Sequence, residues 1–102
     1  MSEPLENTIK SITGTEISGN RVHVVVDLEE KHTKPNLSMI LTDALGNEVS
    51  RSIIMGVLDP HVEFTLHIRF PDAQPPMSLT GITFIEEDQP IDSKSIDVIH
   101  LP

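Results

Sequence analysis

From Val62 to Phe70 the chain reads VEFTLHIRF, apolar and polar at alternate positions throughout, and then meets Pro71. A strict period of two marks a strand with one buried face, because successive side chains leave a pleated backbone on opposite sides. The inward row is Val62, Phe64, Leu66, Ile68 and Phe70, and the outward row is Glu63, Thr65, His67 and Arg69. Such a strand needs neighbours within a sheet and a second layer beneath it. This one segment therefore asks for a two-layer β architecture.

The rest of the chain supplies the other strands. RVHVVVDLE (Arg21–Glu29) repeats the alternation, with Val22, Val24, Val26 and Leu28 inward and Arg21, His23, Val25, Asp27 and Glu29 outward. LSMILTD places Leu37, Met39 and Leu41 on one face, and Ala44–Asn47 reads as a hairpin turn because Gly46 and Asn47 accept positive φ. In EVSRSIIM, Val49, Ile53 and Met55 share a parity that Arg51 breaks, which marks an edge strand, where a charge discourages sheet-to-sheet pairing. The first segment, Thr8 to Ile17, keeps no clean period, and Gly14 reads as a bulge or a switch between sheets. PDAQPP (71–76) cannot continue a central strand, since proline brings no amide donor.

In MSLTGITFIEE, Met77 and Leu79 share one phase and Ile82 and Phe84 the other, so a bulge at Gly81 would reconcile them. SIDVIHL (Ser95–Leu101) ends the chain with Ile96 and Val98 inward. No window of about eleven or more residues carries a helical period; EVSRSIIMGVL comes closest and is cut by Gly56 and Asp59–Pro60. The expectation is an all-β chain, a seven-stranded antiparallel β-sandwich over residues 8–102 behind a polar arm of residues 1–7. A small Greek-key β-barrel is the alternative. A length of 102 residues suits one core.

The pattern from Val22 to Val98, with LTDALGNEV as a central hairpin, resembles immunoglobulin-like and fibronectin-type modules in architecture. The chain has no Cys, Trp or Tyr, so the inter-sheet disulfide, core tryptophan and tyrosine corner of antibody domains are absent and no functional residue carries over. An immunoglobulin-like order implies that the strands bearing His23 and His67 are neighbours, with Glu63 or Asp27 nearby.

Composition removes several classes of function. Sixteen Asp and Glu against seven Lys and Arg leave a net charge of −9, and protonating all five histidines keeps the chain acidic. Such a surface repels phosphate backbones and anionic lipids, and without Trp or Tyr most stacking platforms for bases are missing. Neither nucleic acid nor membrane is an expected partner. The absence of Cys excludes thiolate chemistry. MSEPLENTIK carries no basic and apolar leader signature, so the default compartment is cytoplasmic, although a fragment of a secreted parent would read the same way. There is neither a Gly-x-Ser-x-Gly elbow nor a glycine-rich phosphate loop, and an enzyme is not expected.

Two constellations can be weighed as ligand sites. His23 and His67, outward on the two best strands, could hold Zn²⁺ if register brings them together, though no close His spacing supports it. The FIEEDQPID stretch gathers Glu86, Glu87, Asp88 and Asp92, oxygen ligands of the kind Ca²⁺ takes, without the spacing and glycine of a dedicated calcium loop. Solvated surface histidines and an acidic turn account equally for these residues, and no metal or cofactor is expected. The remaining surface feature is apolar: Val25 and Ile40 point outward, and Ile54 and Ile99 flank inward residues of opposite parity. Gathered on one face or edge, they would suit a protein partner or a second copy of the chain. A non-catalytic interaction or structural module is thus the leading expectation, and a metal- or small-ligand-binding sandwich the second.

Overall fold

The computed structural model describes residues 8–18, 20–29, 35–86 and 89–100. The polar arm of residues 1–7 and most of the charged loop before Pro35 fall outside them. The strands are β1 (Ile9–Ser18), β2 (Arg21–Leu28), β3 (Asn36–Thr42), β4 (Glu48–Ile54), β5 (His61–His67), β6 (Ser78–Glu86) and β7 (Gln89–Asp97). All strand pairs are antiparallel and form two sheets, β1-β2-β5 and β4-β3-β6-β7, with no helix among the described residues. Because β4 and β5 approach along one flank without pairing, the sheets stay separate and the barrel alternative is not adopted.

The core follows the alternation. Val22, Val24 and Val26 of β2 and Leu37, Met39 and Leu41 of β3 are wholly buried, and Leu79 of β6 joins them. In β5, Leu66 is buried, while Val62 and Phe64 are only partly covered because their strand lies at a sheet edge. Phe70, expected inward, lies beyond the end of β5 and is 40% exposed.

Two expected phases are corrected. Arg51 does lie on an edge strand, but Ile53 and Met55 are not in its core row. Leu41 pairs with Ser50 while Thr42 pairs with Glu48, so Val49 is the extra residue of a bulge. The bulge turns Val49 inward and reverses the parity beyond it: Ile54 packs against the core, whereas Ile53 and Met55 face solvent. In β6 the pairing with β3 runs unbroken from Ser78 to Phe84, so no bulge interrupts it at Gly81. The inward phase is Met77, Leu79, Gly81 and Thr83, leaving Ile82 and Phe84 on the outer side. Gly81 is a core position without a side chain: a Cβ there would come 2.7 Å from Ile12 Cδ1 and 3.0 Å from Met39 Sδ.

Strand β1 belongs to both layers. It pairs with β2, its bulges falling at Ile9/Ser11 and Glu16/Ser18 rather than at Gly14. Beyond β7, Ile99 donates its amide to the Gly14 carbonyl (2.8 Å) and accepts the Glu16 amide (2.9 Å), a parallel bridge linking the sheets. Gly14 permits this approach, since a Cβ would meet Leu79 Cδ2 at 3.0 Å. At the other end of β1, Asp92 Oδ2 accepts the amides of Thr8 and Ile9 at 3.0 Å each, and the hydroxyls of Thr8 and Thr83 bond to each other inside the closed corner.

Asp43 organises the β3–β4 turn, which Gly46 completes at φ 86°. Burial would raise its pKa, but hydrogen bonds from the Asn47, Gln74 and Leu45 amides outweigh that and hold the carboxyl below its ordinary range.

Gly81→Val would place two methyl groups against Ile12 and Met39. It is expected to destabilise the domain by about 1–3 kcal/mol in urea unfolding, the usual range for overpacking, whereas Ser78→Val at the exposed start of β6 should change stability by less than about 0.5 kcal/mol.

Candidate functional site

The outer faces of the two sheets differ: the three-stranded one carries a row of carboxylates and imidazoles, the four-stranded one a patch of isoleucines among polar side chains. On the three-stranded sheet, β2 and β5 are neighbours, as the sequence implied, and register decides which side chains meet. Asp27 lies opposite His61, Val25 opposite Glu63, His23 opposite Thr65 and Arg21 opposite His67. His23 and His67 therefore sit one diagonal apart, and His23 Nε2 approaches Glu63 Oε1 instead, at 3.3 Å. The centre of the row is His61, which the sequence reading did not single out. Its Nδ1 lies 2.7 Å from Asp27 Oδ1 and its Nε2 3.1 Å from Glu63 Oε2.

Ionised carboxylates only accept, so an imidazole facing one at each nitrogen is favoured in its doubly protonated form, which can donate from both. The bonds from Asp27 and then Glu63 raise the His61 pKa above its ordinary 6.5, and His61 in turn holds Asp27 below its ordinary 3.8. Beside this pair a cleft of about 330 Å³ opens between Lys10, Asp27, Leu28, Glu29, Pro60 and His61.

Among the described residues no three His, Asp or Glu side chains converge on a common point, and both nitrogens of His61 are committed. Of the acidic stretch, Asp92 is turned to the amides that open β1, Glu86 is exposed at the end of β6, and Glu87 and Asp88 lie outside the described residues.

The outer face of the four-stranded sheet carries an aliphatic patch, Ile40, Ile53 and Ile82, set among Ser, Thr and the Arg51–Glu48 ion pair (2.6 Å). Across its strands run the rows Ile53–Ser38–Ile82–Ser93 and Arg51–Ile40–Thr80–Ser95. Ser38 is only 7% exposed although it lies on the outer side, between Ile53 and Ile82, and Phe84 is buried in the next row. At the margin of this face Ile53 is 49% and Met55 69% exposed.

The four expected partner residues separate. Ile40 lies on this aliphatic face, and Val25 is half-buried on the opposite, polar sheet. Ile99 is exposed but its backbone is tied to β1, while Ile54 points inward because of the Val49 bulge. Ile53 and Ile82 take the places beside Ile40, and they were hidden by the two phase errors at Val49 and Gly81. The alternation HVE (His61–Glu63) did carry the signal for His61, since residues two apart share a strand face. The sequence matches no protein-family model and no curated protein.

The row has a defined pH dependence. The raised His61 pKa gives stability that is complete below 6.5 and is lost as pH rises through the folded value, while the lowered Asp27 pKa gives stability present above 3.8 and lost as pH falls through its folded value. The contribution is therefore greatest between those two ordinary values. His61→Gln should flatten the decline in melting temperature above pH 6.5 relative to the unmodified chain; parallel melting curves would refute the ion-pair assignment. Zn²⁺, Ca²⁺ and EDTA should leave the midpoint unmoved, whereas a metal bound at a hundred times its Kd would stabilise the chain by about 2.7 kcal/mol.

Proposed function

We propose that the chain is a non-catalytic interaction module of immunoglobulin-like or fibronectin-type architecture, binding a protein partner or a second copy of itself through the outer face of its four-stranded sheet. The observation that carries this reading is the aliphatic patch in which Ile53 and Ile82 flank the buried Ser38 and Ile40 stands in the next row, running out to an edge strand with Ile53 and Met55 exposed. Monomeric sheets commonly keep one face polar, and the three-stranded sheet of this chain does so. The β4 edge adds unpaired backbone groups with which another strand can pair. The architectural part is supported by the strand order, in which β5 returns beside β2 and β6 beside β3. A net charge of −9 favours protein over nucleic acid or anionic lipid as the partner.

Light scattering over a concentration series tests self-association directly. Ile53→Lys, at a half-exposed edge position, should change stability by less than about 0.5 kcal/mol and shift any dimer toward monomer. If the chain is monomeric throughout, a photo-crosslinker at position 53 should capture one defined protein in native cells, with one at position 65 on the polar sheet as control. Crosslinking equal from both positions, with no dimer, would overturn the proposal.

A further inference from the structure

The end of the sandwich away from His61 holds a second depression that the interaction face does not use. It has a volume of about 260 Å³ and lies where the chain leaves β5 and approaches β6. Its walls mix apolar side chains, Ile68, Phe70, Ala73 and Met77, with the polar Asn20, and Pro71 and Pro75 bring no amide hydrogen. Glu16 is the one ionisable side chain in the lining.

The surrounding backbone is fixed. The Ile68 amide donates to the Asn20 carbonyl (2.7 Å), the Ala73 amide closes a turn onto the Phe70 carbonyl (3.2 Å), and Val98 donates to the Met77 carbonyl (2.9 Å). Glu16 is held through its own amide by Ile99, and its Oε2 lies 2.6 Å from His100 Nδ1. A carboxylate offers about four acceptor positions, and this is the one hydrogen bond its oxygens make among the described residues. The Glu16 side chain stays 28% exposed.

We infer that this depression receives an arginine side chain of a partner polypeptide, its guanidinium on Glu16 and its aliphatic stem against Ile68 and Met77. A single acceptor-only anion beside apolar side chains favours a cation on an apolar stem, and the Asn20 side-chain oxygen is a second acceptor in the lining. Guanidinium suits it better than ammonium because it is planar, more weakly hydrated and able to stack on the partly exposed ring of Phe70. The volume of about 260 Å³ lies at the small end of ligand sites, roughly 300–1,000 Å³, and accommodates one side chain. Arg69 lies between the wall residues in sequence but on the other parity, outside the lining.

The test is a ¹⁵N-resolved NMR titration with the capped tripeptide acetyl-Gly-Arg-Gly-amide, its citrulline counterpart and free propylguanidine. The arginine peptide should give saturable shifts at Glu16, Ile68, Phe70 and Ala73, and the neutral citrulline peptide none. Glu16→Gln should weaken binding about tenfold or more, a loss of about 1.4 kcal/mol. Phe70→Ala, at an exposed position, should also weaken it and serves as the test if Glu16→Gln fails to fold. Absence of saturable shifts, equal binding of the citrulline peptide, or unchanged affinity in Phe70→Ala would overturn the inference. Propylguanidine binding as tightly as the peptide would overturn its assignment to a polypeptide. The aliphatic face lies elsewhere, so these outcomes are independent of those at position 53.

Discussion

The shared core to which β2 and β3 each send one inward row sets the terms for the rest of the sandwich. Each sends one alternating row into the shared core, Val22, Val24, Val26 and Leu28 from one sheet and Leu37, Met39 and Leu41 from the other. With a side-chain period of two, a slip of one residue would turn an entire row to solvent, so register is fixed on both sheets at once. The outer rows are then determined as well. Asp27 lies opposite His61, and Ile40 stands beside Ile82's row, because the valines and leucines between them can face only one way. The core has no Trp or Tyr to fill large gaps, and Gly81 makes room for Ile12 and Met39 where a side chain would collide.

Where periodicity was clean, the sequence already contained the structure. β2 and β3 could be read to within a residue or two and their buried rows correctly, the alternation carried β5 three residues too far, through the exposed Phe70, and the edge position of β4 followed from Arg51. Both phase errors arose where an apolar pattern changed parity, and opposite physical events produced them. At Val49 a real bulge reversed the faces of β4, which the continuous apolar parity Val49–Ile53–Met55 concealed. At Gly81 an apparent change of parity suggested a bulge, but the strand runs straight, with a glycine and a buried threonine occupying core positions. Small and hydroxyl-bearing residues in a core are invisible to a hydrophobic pattern when their burial depends on a neighbour's bulk or on a partner such as Thr8.

The candidate sites were less legible, because they depend on pairs. Neither His61 nor Glu63 is distinctive alone, and the ion-pair row exists because β2 and β5 pair in one register. The same holds for the aliphatic face, assembled from three strands that are distant in sequence. The two sheets consequently differ on their outer sides. One carries the linked acid–imidazole row and is pH-sensitive, and the other gathers isoleucines about a buried serine among polar neighbours.

The parallel bridge between β1 and Ile99 has a mechanical consequence. Its two hydrogen bonds, from Ile99 to Gly14 and from Glu16 to Ile99, join segments that run in the same direction from opposite ends of the described chain. Tension drawing the start of β1 and the segment beyond Ile99 apart along the strand axis loads both bonds in shear. They must then yield together, along with the close contact of Gly14 with Leu79, instead of opening one after another. The two layers are thus clamped where a pull on the ends would otherwise first peel them apart.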